Sequence, residues 1–164
     1  MAMAEAFIAE LTNEAKTTRR VLERVPESEL AWRPHPRSMS LGQLAYHIAA
    51  LPRGIADLLA ELSVEPPRVP LPENVPVAEI LANLEQNIPY ATERLASWGD
   101  AGLAAMWRMT RGDRTLLELP RAAMVRSVML NHWYHHRGQL TVYLRLLDVP
   151  LPSVYGPSAD EQVF

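Results

Sequence analysis

Residues 131–139 read Asn-His-Trp-Tyr-His-His-Arg-Gly-Gln, and this short stretch holds three of the five histidines of the chain. Each residue of an α-helix advances by about 100°, so residues four apart lie on the same face. His132 and His136 therefore point in the same direction, at a spacing that lets two imidazoles share one metal ion. His135 offers an alternative pairing with His132, three residues apart.

The apolar residues around this stretch favour the first pairing. They form one stripe, within roughly 80° of arc, that includes both histidines. His135 lies at the edge of that stripe, well away from Met129 and Leu147. We therefore expect His132 and His136 to face the core, where each imidazole needs a metal ion, a carboxylate or a water molecule as partner. The stripe consists of Val125, Met129, His132, His136, Leu140, Tyr143 and Leu147.

The composition is that of an ordinary soluble globular protein. The chain has 164 residues, with 48% hydrophobic and 21% charged residues, which predicts one domain over residues 1–164. The net charge of −3 gives no electrostatic reason to expect nucleic acid as a partner. Residues 1–20 lack the apolar core of a signal peptide, and no apolar run is long enough to span a bilayer, so we expect a cytoplasmic protein without a membrane partner.

Cysteine is absent from the chain, which excludes disulfide bonds, thiolate ligands and a cysteine nucleophile. A transition metal would therefore need nitrogen and oxygen ligands.

Four long amphipathic helices are predicted, over residues 3–24, from Ser40 to Leu62, over 76–98 and over 120–147. Ser40 is the expected N-cap of the second helix, with Gln43 as its capping-box partner. The prolines of residues 63–76 predict a linker without regular structure, and residues 99–119 read as two extended runs joined by a turn. Four helices and one long crossover predict an all-α fold, a four-helix bundle with a short extended segment before the last helix.

Two further histidines lie outside the last helix. His47 flanks the apolar stripe of the second helix, where a side chain lines the space between helices, although a lone histidine there is often just part of the core. His35 lies between two prolines, which predicts an exposed loop residue and not a ligand. Metal sites in bundles are built from side chains on facing helices, so His47 is the candidate third ligand.

Three segments carry a resemblance to a known family. Residues 39–49 (MSLGQLAYHIA), 132–140 (HWYHHRGQL) and 155–160 (YGPSAD) resemble the DinB-like, or DinB/YfiT-like, superfamily of metal-binding four-helix bundles. The resemblance implies an up-down-down-up arrangement of helices and a metal triad of His47, His132 and His136. It also implies homodimers and a link to damage-inducible proteins, among whose relatives are thiol-dependent transferases and isomerases. No residue of this chain specifies a thiol.

Three imidazoles with an open fourth position suit Zn²⁺ or Ni²⁺. Trp133 stands where the HExxH metalloprotease motif has its glutamate, so peptidase activity is not expected. The candidates for orienting the ligands or a substrate are Gln43, Gln139, His135 and Tyr46.

Two functions remain open at this point. One is a metal-dependent hydrolase or thiol-dependent transferase that acts on a small molecule in stress response or detoxification. The other is a stress protein with a structural metal and no catalysis.

The tail after Pro152 cannot extend the last helix, because Pro150 and Pro152 end it. Tyr155 lies beside a Gly-Pro turn, a composition suited to folding back over the bundle. The tail is therefore predicted to form a lid towards the metal pocket, a dimer contact, or a cap on the end of the bundle.

Overall fold

Helices make up most of the computed structural model, which describes residues 2–69 and 71–162. The long helices are α1 (Met3–Leu22), α2 (Leu41–Leu58) and α3 (Val77–Ala104). The last helical run consists of α4 (Arg121–Met124), a π-helical segment (Val125–Asn131) and α5 (His132–Leu146). The predicted mainly helical fold is confirmed. A small sheet of β1 (Ser63–Val64), β2 (Met106–Arg111) and β3 (Arg114–Pro120) accompanies the helices.

The start of α2 is set by the predicted capping box. Ser40 Oγ accepts a hydrogen bond from the Gln43 amide at 3.1 Å, and Gln43 Oε1 accepts one from the Ser40 amide at 3.0 Å. The two bonds satisfy backbone N–H groups that lie at the end of the helix or beside it. The prediction was wrong for Leu62, which lies beyond the end of α2 at Leu58 and is 49% exposed.

Helix α3 changes direction at Gly99, which has a φ of 55° and a ψ of −172°. Glycine tolerates this left-handed φ and commonly ends a helix, which is why the straight part stops close to the predicted end at residue 98. The chain then re-enters a helical conformation as far as Ala104, a turn that the sequence pattern did not predict.

The two extended runs form the hairpin β2–β3, with Gly112 in the turn at a φ of 56°. Strand β1 pairs in parallel with β2, so that Ser63 faces Arg108. The prediction that residues 63–76 lack regular structure was therefore wrong for Ser63 and Val64. A two-residue strand has no periodic pattern of its own, and its formation depends on the edge that β2 offers.

The helices pack in a closed series: α1 lies against α3, α3 against α2, α2 against α5, and α5 against α1. Trp133 fills the space between α2 and α5. Its side chain is fully buried, and its Nε1–H donates to the Ile48 carbonyl at 2.8 Å. The core is therefore tied together at the level where the histidines of α2 and α5 lie.

The tail folds back, as predicted. Glu161 pairs with Arg20 of α1, and Asp160 pairs with Arg145 of α5. Tyr155 remains 70% exposed, but its hydroxyl donates to Glu14 Oε2 at 3.0 Å and accepts from Arg137 at 2.5 Å. The contacts of Tyr155 are thus with α1 and α5.

Within residues 2–69 and 71–162, every helix is too short or too polar to cross a bilayer.

Candidate metal centre

Three imidazoles converge between α2 and α5. One ring nitrogen from each of His47, His132 and His136 lies within 4.8 Å of the others. The Nε2 atoms of His132 and His136 are 2.5 Å apart, and the His47 ring centroid is 4.6 Å from that of His136. The inward-facing pair of the last helix and the flanking histidine of the second helix thus lie in one cluster.

The local helix geometry explains how α5 presents its pair. The π-helical segment ends at Asn131, and α5 begins at His132 with regular α-helical backbone. His132 and His136 therefore keep the spacing of one α-helical turn. π-helical segments are rare overall, and those that occur are frequently found at functional sites.

Gln139 fixes the protonation of His136. The Nδ1 atom of His136 lies 2.8 Å from Gln139 Oε1, an acceptor, so Nδ1 carries the proton and donates it. In a neutral imidazole the other nitrogen, Nε2, then has a free lone pair. That lone pair is directed at the His132 ring, where the ring nitrogens of the cluster converge.

Burial keeps all three rings neutral. It is the main cause that lowers the pKa of His136 to about 4, and the neighbouring histidines lower this pKa further. The pKa of His47 is lowered by burial and by the nearby His132. The pKa of His132 is lowered by burial and by His135. Neutral imidazoles are the form that binds a metal ion, so the rings need no deprotonation at neutral pH.

His135, Gln43 and His35 lie outside the cluster of three histidines. His135 is exposed, with its ring centroid 5.1 Å from that of His136. Gln43 belongs to the capping box and donates to the Leu71 carbonyl at 3.0 Å. His35 is an exposed loop residue whose Nδ1 accepts from the Arg37 amide.

A cavity of about 440 Å³ lies beside the cluster, between α2, α3 and the linker. His47 and Tyr46 form part of its wall, so His47 borders both the cluster and the cavity. The sequence pattern placed His47 beside a space between helices but did not predict this cavity, because the cavity depends on the path of a proline-rich linker that has no periodic pattern.

Arg137 is a residue whose place the sequence reasoning missed. It is 2% exposed, and its guanidinium pairs with Glu14 of α1 at 2.6 Å and donates to Thr18 at 3.1 Å. A buried arginine needs such partners because an unpaired charge is very costly in the core. Its position next to His136 couples the histidines of α5 to α1.

Comparison with known proteins gives consistent results. The model of the DinB superfamily matches residues 10–140. The uncharacterised protein YrdA of Bacillus subtilis is 25% identical over 94% of this chain and 89% of its own length. The crystal structure of a DinB-like protein from Bacillus cereus is similar with a TM-score of 0.69 and 25% identity, over 92% of this chain and 97% of that one. A second DinB-like protein, from Bacillus subtilis, has a TM-score of 0.68 at 16% identity, over 97% of this chain and 99% of the other.

Proposed function

The chain belongs to the DinB superfamily, and from this premise and the histidine cluster we propose that it binds one divalent metal ion, Zn²⁺ or Ni²⁺, through His47, His132 and His136. The donor set supports this fit. Three neutral imidazoles with converging nitrogens form a nitrogen-only site, which suits these ions better than Mg²⁺ or Ca²⁺, whose ligands are oxygens.

The function that the geometry supports best is that of a metal-dependent enzyme acting on a small molecule, a hydrolase or a thiol-dependent transferase in stress response or detoxification. The observation that supports this function is that His47 belongs to two features at once. This residue is one of the three clustered histidines and also part of the cavity wall. A molecule in the cavity would therefore lie next to the cluster. A catalytic metal site needs such access, whereas a structural site is closed.

A bound ion of this kind lowers the pKa of a water or a thiol and so supplies a nucleophile near neutral pH. The protein's own residues hold the site in place. Gln139 keeps the Nε2 lone pair of His136 free, and Trp133 locks α5 against α2 through its bond to the Ile48 carbonyl. Tyr46 contributes to the cavity wall next to His47.

Peptide hydrolysis is not part of the proposal. Trp133 occupies the position of the glutamate in the HExxH motif, and its side chain is fully buried. The cavity volume of about 440 Å³ lies within the usual range for small-molecule sites. The substrate is therefore proposed to be a small molecule.

The directions of the helices and the oligomeric state are also proposed. Leu71 and Glu73, shortly before α3, accept hydrogen bonds from Gln43 in the first turn of α2. Helix α3 thus begins at the end where α2 begins, so the two helices run parallel. This supports the up-down-down-up arrangement with the linker as its crossover. A homodimer is proposed on family resemblance alone.

Metal analysis of the purified chain, followed by activity screens, tests the proposal. We expect about one Zn²⁺ or Ni²⁺ per chain, with ester hydrolysis or thiol transfer that is lost after treatment with a chelator and restored by the metal. His47→Ala should abolish both metal and activity. An equimolar metal without any activity, and with a large loss of stability on its removal, would favour the structural alternative. A chain that binds neither ion would contradict the proposal as a whole.

A further inference from the structure

The linker between α2 and α3 forms the roof of the cavity. It leaves α2 after Leu58 and returns to the first turn of that helix, where the Leu71 carbonyl accepts the Gln43 hydrogen bond. The linker therefore runs back along α2, and Arg68 is the charged residue that it contributes to the cavity. Asn83 and Gln86 contribute side-chain amides from α3.

The charged side chains that line the cavity differ in whether they have partners. Arg53, Asp57 and Arg68 are the charged residues among its lining. Asp57 already has two partners, because Arg53 Nε is 3.7 Å from its Oδ2 and the Tyr90 hydroxyl donates to its Oδ1. Arg53 also lies over the Tyr90 ring, 4.4 Å from its centroid.

Among the charged residues that line the cavity, Arg68 is the cation without an ion-pair partner in the described part of the chain. Over residues 2–69 and 71–162 no carboxylate forms an ion pair with its guanidinium. The cavity therefore has a surplus of positive charge on its linker side, in a chain whose net charge is −3. Such a site attracts anions, and a guanidinium matches the geometry of a carboxylate through two parallel hydrogen bonds.

The rest of the wall is mostly apolar. Ile55 and Leu58 of α2 and Val69 of the linker face the cavity, beside the amides of Asn83 and Gln86. A predominantly apolar wall with a few polar groups is the usual composition of a small-molecule site. The polar groups orient the ligand, and the apolar side chains bind its body.

We propose that this cavity binds a small organic acid, whose carboxylate pairs with Arg68 and whose apolar body packs against Ile55, Leu58 and Val69. Asn83 and Gln86 donate further hydrogen bonds from α3. The further step, that such an acid is the substrate, rests on the proposed function, because an acid in the cavity would lie beside His47 and the metal. The binding itself depends only on the cavity and is expected of the metal-free protein as well.

The test compares phenylbutyrate with phenylbutyramide, which have nearly the same size and shape but differ in charge. Binding of each to the full chain is measured by ligand-observed NMR, with and without one equivalent of Zn²⁺. We expect the acid to bind with a millimolar Kd or tighter, and about tenfold more tightly than the amide. Arg68→Gln should remove this preference and leave amide binding unchanged, whereas Arg68→Lys should keep part of it. Arg114→Gln, which removes the same charge from the exposed hairpin, is the matched control and should change nothing.

Two results would overturn the proposal. One is that phenylbutyrate fails to bind, or binds no better than the amide. The other is a preference for the acid that survives Arg68→Gln and disappears without Zn²⁺, since the carboxylate would then contact the metal. Metal content is measured on the same preparations. A protein without metal affinity would defeat the proposed function, while the comparison of acid and amide on the metal-free protein would still test the cavity.

Discussion

Gln139 Oε1 lies 2.8 Å from Nδ1 of His136, one turn further along α5, and so sets which nitrogen of that ring carries the proton. Groups of this kind determine metal affinity although they do not touch the metal, because they hold the ring and its lone pair in position.

Replacing Gln139 by alanine should weaken Zn²⁺ binding by about 10- to 100-fold, since the imidazole loses the acceptor that fixes its tautomer and its orientation. Competition with a chromogenic chelator measures the affinity. Gln139→Glu keeps an acceptor at the same distance and should retain most of the affinity. Equal affinities for the alanine variant and the unmodified chain would show that His136 is held by packing alone.

The neighbouring histidines provide a matched pair of variants. His136 is buried within the cluster, whereas the exposed His135 lies outside the group of converging nitrogens. His136→Ala should abolish metal binding, and His135→Ala should leave the stoichiometry unchanged. Elemental analysis after gel filtration is the measurement. If the two variants behave in the opposite way, the ligand pair on α5 has been assigned in the wrong register.

The metal-free protein should lose stability as the pH falls from about 6.5 to about 4. The folded state holds the pKa of His136 at about 4, chiefly because of burial, while the ordinary value is 6.5. Protons therefore bind the unfolded chain first, so this contribution to stability is present above pH 6.5 and is lost as the pH falls towards 4. Thermal unfolding followed by circular dichroism, in the presence of a chelator, measures the effect.

A histidine variant isolates the part that comes from the cluster. His136→Gln should show a smaller decline over the same pH range, because one buried imidazole no longer titrates. His35→Gln, which changes an exposed loop residue, should decline like the unmodified chain. Identical pH profiles for all three proteins would exclude His136 as a source of the dependence.

Much of the candidate site could be predicted from the sequence, because it depends on residues that lie close together along the chain. The spacing of His132 and His136 and the capping box of Ser40 and Gln43 both lie within one or two helical turns. The helical period therefore predicted which face carries the histidines. The position of His47 beside the apolar stripe of the second helix made it the candidate third ligand, and the resemblance to a known family implied the same three histidines.

The remaining features depend on contacts between distant parts of the chain. The burial of Arg137 requires Glu14 and Thr18 of α1, and β1 requires the edge of β2. The cavity requires the linker to run back along α2. A local pattern cannot predict such contacts, because each partner is more than thirty residues away in sequence or lies in a segment without periodicity.

The last prediction concerns the tail, for which a lid and a structural cap lead to different results. Glu161 pairs with Arg20, and Asp160 pairs with Arg145, so the tail is fixed to both α1 and α5. The Tyr155 hydroxyl joins Glu14 and the buried Arg137 and reaches neither the cluster nor the cavity wall. We therefore expect the tail to act as a cap.

Deleting residues 153–164 should lower the melting temperature clearly, while the rate at which a chelator removes the metal stays within about twofold of the full chain. Tyr155→Phe should cost about 1 kcal/mol of unfolding free energy, since it removes one hydroxyl that bridges two charged groups. Val142→Ala, an exposed change on α5, is the control for general effects on that helix and should be neutral. Faster loss of the metal with an unchanged melting temperature would instead identify the tail as a lid, because access would then change without any loss of packing.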